Sequence, residues 1–119
     1  MTFQDAVRIN LMQKYADFQG RAGRPEFWWF MLAILLATLV GALIDDVLIG
    51  GGQLIETLVG LGTLVPQLAV GTRRLHDTDR SGWWQLLHFV PLVGSIVLIV
   101  FWAMPGNAAP NRFGAQPAP

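Results

Sequence analysis

Phe27 to Ile44 reads FWWFMLAILLATLVGALI, an apolar run without a single charge. At about 1.5 Å per residue, a helix of that length covers about 27 Å, enough to cross a thin bilayer core. Leu54 to Gly71 and Leu86 to Met104 are apolar over closely similar lengths. The chain of 119 residues is 53% hydrophobic and 13% charged, against about 25% charged in ordinary soluble domains. The expected fold is all-α: a small polytopic membrane protein with three transmembrane helices, 27–44, 54–71 and 86–104, in one domain over 27–104. An amphipathic interfacial helix is expected within 1–26, and a flexible tail over 105–119. A cleaved signal peptide is rejected for the first stretch. The long segment 1–26 before it carries charges of both signs, and no small-x-small cleavage pattern follows.

Net charge is zero, yet the charges are segregated. Arg8, Lys14, Arg21 and Arg24 precede the first stretch; Arg73, Arg74 and Arg80 separate the second from the third; only Arg112 falls elsewhere. The positive-inside rule then puts the amino terminus and the 73–84 segment in the cytoplasm. With three spans, Asp45 to Gln53 and the carboxyl tail are expected on the periplasmic or extracellular side. Trp28 and Trp29, Trp83 and Trp84, and Trp102 fall at span ends as interface anchors, Trp102 on the side opposite the others. The chain has no cysteine, which removes disulfides, thiolate nucleophiles and Cys-ligated zinc.

Before the first span, Phe3, Val7, Leu11, Tyr15 and Phe18 share one helical face. The reading is a helix lying in the interface, with a partner-docking helix as the alternative. Thr2 and Asp5 form a capping pair, and Gly20 is the expected stop. Inside the spans, Ala33, Ala37 and Gly41 recur every fourth residue and form a packing face that an oligomer would use. Pro66 should kink the second span near Gly62, and the carbonyl of Gly62 is left to a neighbouring helix or a water. Polar residues in the spans are few: Glu56, Gln67, His88 and Ser95. Asp45, Asp46 and Glu56 gather oxygen ligands, but their spacing matches no known cation loop.

The most distinctive run is Arg73-Arg74-Leu75-His76-Asp77-Thr78-Asp79-Arg80-Ser81-Gly82-Trp83-Trp84. Arg73 and Arg74 sit where a helix carboxyl end welcomes positive charge and where anionic lipid is close, with Asp77 or Asp79 as pairing carboxylates. Ser81 can cap the third helix. A His76-Asp77 metal ligand pair or an Asp77-x-Asp79 phosphate site lacks the converging ligands that metal-assisted hydrolysis needs. No phosphate loop, nucleophile elbow or metalloprotease helix is present.

Phe18-x-Gly20-Arg21-x-x-Arg24-x-x-Phe27-Trp28, the Arg73–Asp77 and Arg80–Trp84 runs, Pro105-Gly106 and Asn111-Arg112-Phe113-Gly114 together resemble the bacterial inner-membrane family of domain of unknown function 805. The resemblance extends from about Phe18 to Gly114. It implies a polytopic bacterial inner-membrane protein, and no established activity, substrate or catalytic residue. Asp79, where relatives often have glycine, and Gly23 and Pro25 in the first motif depart from the pattern.

The favoured function is a non-enzymatic membrane module. It would bind anionic lipid or a partner protein through Arg21, Arg24, Arg73, Arg74, His76, Asp77, Arg80, Trp83 and Trp84. Helix packing is assigned to Ala33, Ala37, Gly41, Gly62 and Pro66. One alternative is a small transporter or channel subunit, oligomeric, with Glu56, Gln67, His88 and the Pro66 kink along a path. Another is a membrane enzyme acting on phosphorylated headgroups through His76, Asp77 and Asp79. No catalytic residue, cofactor or metal is assigned, and the few basic residues do not indicate nucleic acid.

Overall fold

The computed structural model describes residues 1–117. Its regular elements are all helical: α1 (Phe3–Arg8), a π-helical turn (Ile9–Gln13), α2 (Arg24–Val47), α3 (Leu54–Asp77), a 3₁₀ helix (Gly82–Phe89) and α4 (Val93–Ala103). The first two apolar stretches become α2 and α3, each 24 residues and so about 36 Å long, apolar enough to cross a membrane. Both outrun the apolar stretches that announce them. Gly23 and Pro25 open α2 at its amino end. α3 runs on past Gly71 through Arg73, Arg74 and Asp77, because those polar side chains find partners inside the protein.

α2 and α3 form an antiparallel pair joined by a short glycine-rich turn. Gly41 is buried in their contact, where an added Cβ would meet the Ile55 side chain at 3.2 Å. The small-residue face thus serves packing within the chain at Gly41, while Ala33 and Ala37 are half-buried. The amino end of α3 has no cap from its own Gln53. Asp45 of α2 substitutes, accepting from the Ile55 and Glu56 amides at 2.8 and 3.2 Å. Its buried carboxylate is therefore committed to a helix end rather than to an oxygen cluster with Asp46 and Glu56.

Thr2 and Asp5 close the expected capping box. α1 lies against the start of α2, Phe3 packing edge-on to Trp29 at 6.0 Å. The helical segment stops at Gln13, well before Gly20. The reason is Asn10. Its amide nitrogen bonds back to the Ala6 carbonyl and its oxygen accepts from Arg73, so the chain widens into a π turn to aim it inward. Tyr15 then reaches α3. Its hydroxyl donates to the Gly62 carbonyl, the group that Pro66 leaves without a helical donor.

The third apolar helix is shorter than expected. In place of one helix over 86–104, the chain forms two legs. The 3₁₀ helix, capped by Ser81, advances about 16 Å over eight residues, and α4 returns about 16 Å over eleven. Pro91 ends the first leg, since the residue before a proline is pushed out of the helical region. Leu92 takes a positive φ of 63° at the turn. Gly94 makes the turn possible: a Cβ there would lie 1.8 Å from the Leu87 carbonyl oxygen. The legs meet where Trp84 packs edge-on to Phe101 and the Arg80 guanidinium covers the Phe101 ring at 4.3 Å.

The hairpin alters two further expectations. Trp102 returns to the start of α2, 4.9 Å from the Phe27 ring, so all five tryptophans are at one end of the α2/α3 pair. The residues after α4 do not project from the far end. Residues 107–114, expected to be flexible tail, bond to Arg21, Asp77 and His76. The last two positions of the expected tail, Ala118 and Pro119, lie outside the described residues.

Candidate functional site

At the end that gathers the tryptophans, three separated motif segments interlock around buried arginines. Arg74, on the last turn of α3, donates to Asp77 Oδ2 at 2.6 Å, to the Trp102 carbonyl at 2.9 Å, and to the carbonyls of Met104 and Ala22. Arg21 approaches the other carboxylate oxygen of Asp77, Nε at 2.9 Å and Nη2 at 2.8 Å. It also donates to the carbonyls of Asn107, Ala109 and Gly114. One carboxylate therefore bridges two guanidinium groups. The side chains of Arg21 and Arg74 are 1% and 0% exposed, so this bridge is shut off from water. Gly106 is required beside it, because a Cβ there would fall 1.8 Å from Asp77 Oδ2.

Arg73 makes a second knot one residue earlier. Its three nitrogens reach the Asp17 carbonyl at 3.0 Å, Glu26 Oε2 at 2.5 Å and Asn10 Oδ1 at 2.6 Å. The planar fork of arginine suits this role, since five donors leave in fixed directions. Each buried guanidinium thus fastens α3 to a different segment: Arg73 to the amino-terminal residues and α2, Arg74 to the end of α4. His76 completes the cluster. Its Nδ1 donates to the Gly20 carbonyl at 2.9 Å, and its ring stacks on Phe113 at 3.8 Å with the planes 1° apart. Asn111 donates to the His76 carbonyl, and an isolated bridge between Asn111 and Gly114 turns the chain there.

Of the expected binding residues, Arg21, Arg73, Arg74, His76 and Asp77 are buried, and Asp77 pairs Arg74 as one of the two options read from the sequence. The other option, Asp79, pairs Arg112 at the surface instead. Arg24, Trp83 and Trp84 are exposed or partly so, and Arg80 is half-buried. His76, Asp77 and Asp79 do not converge on one point: Asp77 is held between arginines and the His76 ring is stacked against Phe113. Glu26 and Asn10 were missed by sequence reasoning. An acidic residue in the first turn of an apolar span, among basic neighbours, was the available signal for Glu26.

Beside the knot, α2, α3 and the hairpin flank an open-sided cavity of about 920 Å³. Phe27, Met31, Leu64, Leu68 and Phe89 give it apolar walls. Toward the knot its edge is polar: Gln85 donates to Thr72 Oγ1 and the Leu68 carbonyl, and His76 and Ser81 lie nearby. Gln67 and His88 also line it, whereas Glu56 sits at the opposite end of α3 beside Asp45. The three polar residues of the transport reading are therefore not brought together.

Residues 15–115 match the family model described as "Protein of unknown function (DUF805)". The chain belongs to the DUF805 family. Among its curated relatives, inner membrane protein YhaH of Escherichia coli (strain K12) is 41% identical over 113 residues, covering 92% of this chain and 93% of YhaH. Inner membrane protein YhaI of the same strain is 45% identical over 112 residues, covering 92% of each chain. The uncharacterized protein YiiR is 33% identical over 104 residues, 82% of this chain and 65% of YiiR. No solved structure matches. With two helices long and apolar enough to span, this DUF805 chain is an inner-membrane protein. The matched region holds Arg21, Glu26, Arg73, Arg74, Asp77 and the 107–114 segment, so both knots except Asn10 lie within the DUF805 match.

Proposed function

We propose that this protein is a non-enzymatic inner-membrane module whose basic, tryptophan-rich end lies at the cytoplasmic surface and gathers anionic lipid headgroups. The observation that carries the reading is the convergence of every lysine, arginine and tryptophan on segments that meet at one end, including Arg112, the exception in the linear sequence. The other end carries Asp45, Asp46 and Glu56. Under the positive-inside rule the first end is cytoplasmic, and α1 and the 107–114 segment are there with it. Two full spans and a hairpin entering about half of a roughly 30 Å core account for this topology, since neither leg of about 16 Å crosses alone.

The buried arginines hold the scaffold, so headgroup attraction falls to the outer cations. Arg24, Arg80 and Lys14 form no ion pair among the described residues, and Trp83 and Trp84, close in sequence to Arg80, are exposed. Near a membrane surface each cation contributes about 1 kcal/mol toward anionic lipid. A test is energy transfer from these tryptophans to pyrene-labelled phosphatidylglycerol in vesicles, against pyrene-labelled phosphatidylcholine. Greater transfer to phosphatidylglycerol is expected, reduced by Arg24→Ala with Arg80→Ala and by high salt. Equal transfer to the two lipids would refute the reading. Tight capture of an acidic protein by the same face, abolished by the same substitutions, would replace lipid by a protein partner.

A further inference from the structure

We propose that the cavity beside the arginine knot is a lipid site that takes one acyl chain of an anionic phospholipid, with the headgroup at the Arg80–Ser81 edge. This rests on the membrane placement above and adds a defined binding position to it. The cavity volume, about 920 Å³, falls in the range of about 300 to 1,000 Å³ typical of small-molecule sites. Its walls are built from Phe18, α2, α3, the 3₁₀ helix and Trp102 of α4. On that placement the open side of the cavity meets lipid rather than water. Leaving it empty would forfeit dispersion contacts on every wall. The apolar molecule in greatest supply at that depth is a lipid chain.

Polarity within the cavity gives the occupant a direction. Phe27, Met31, Leu64 and Phe89 present apolar side chains to a ligand, Gln67 and His88 interrupt those walls, and Thr72, His76, Ser81 and Gln85 gather at the edge nearest the knot. Arg80 immediately precedes Ser81, and its guanidinium, held over Phe101, forms no ion pair among the described residues. An amphiphile entering chain-first therefore leaves its headgroup beside an arginine and an exposed tryptophan, Trp83. The phosphodiester of an anionic headgroup meets that charge unopposed, whereas in a zwitterionic headgroup the same phosphodiester carries its own compensating ammonium.

Native mass spectrometry of the full chain, extracted gently from vesicles of phosphatidylglycerol and phosphatidylcholine with identical chains, tests this. The wild type is expected to retain one lipid, mostly phosphatidylglycerol. Leu68→Trp fills the cavity from α3, and Leu86→Trp blocks it from an exposed position on its rim. Each variant that keeps wild-type helicity is expected to lose retained lipid by about tenfold. Arg80→Ala leaves the cavity open and should keep a lipid while losing the preference for phosphatidylglycerol. Wild-type retention in the folded Trp variants, or no lipid on the wild type, overturns the site. An undiminished preference in Arg80→Ala would remove the headgroup arm and leave the chain site standing. Loss of preference in Arg80→Ala with lipid retained in the Trp variants would do the reverse.

Discussion

Asp77→Asn is the sharpest perturbation of this fold. The substitution keeps the shape of the side chain but removes the carboxylate that faces both Arg21 and Arg74, at 2.8 and 2.6 Å. It also turns an amide donor toward a guanidinium that can only donate. Breaking one buried pair by removing a partner costs about 3–5 kcal/mol, because the other charge stays in a poorly solvating interior. Two pairs share Asp77, but each arginine keeps several carbonyl acceptors, among them Trp102 and Ala109. The combined loss is therefore set near the low end, about 3 kcal/mol. That is a large fraction of a total stability of about 5–15 kcal/mol. Equilibrium unfolding in mixed micelles, followed by the fluorescence of the tryptophans around the knot, reads it directly. Asp79→Asn is the control, since its pair with Arg112 is 47% and 62% exposed and is worth about 0–1 kcal/mol. Adding Arg74→Met to Asp77→Asn should recover part of the loss by deleting an unpaired buried cation. If Asp77→Asn unfolds within about 0.5 kcal/mol of the control, the knot does not hold the fold together.

Three further substitutions probe separate joints. Tyr15→Phe leaves the Gly62 carbonyl without its donor and should cost about 1–2 kcal/mol in the same unfolding assay. Asp45→Ala uncaps α3 and should cost about 1–2 kcal/mol, with faster amide exchange at Ile55 and Glu56 as its local signature. Gly106→Ala pushes a methyl into the Asp77 carboxylate and should free the 107–114 segment, seen as protease cleavage there before the spans unfold.

The two long helices were legible because a sustained apolar run such as Phe27 to Ile44 has few alternatives in structure. Thr2 and Ser81 were legible for another reason: a cap acts on amides two or three residues away, within the reach of sequence reading. Pro66 announced an unserved carbonyl at Gly62, and only the fold could name Tyr15, 47 residues earlier, as its donor. Arg73 and Arg74 mark the limit. An arginine pair at the end of an apolar run looks the same whether it faces headgroups or turns inward, and Glu26 and Arg21 lie 47 and 56 residues from their partners. The shortness of the third helix was hidden because Leu86 to Met104 is apolar almost throughout, so hydropathy cannot register a reversal. Pro91 and Gly94, three residues apart, were the local clue. Once that reversal is in place, the position of Trp102, the ordered contacts of residues 107–114 and the company of Arg112 all follow from it.

The return of the hairpin carries the proposed topology, and the absence of cysteine makes it directly testable. Gln53→Cys and Ala115→Cys each introduce a single thiol, at the exposed end of the α2–α3 turn and after α4. Intact cells with a permeabilised outer membrane are treated with a membrane-impermeant maleimide. The thiol at 53 is expected to be labelled from outside, and the thiol at 115 only after the inner membrane is opened. Labelling of both positions from outside would contradict the hairpin, because the third apolar stretch would then cross the membrane and carry the tail to the far side.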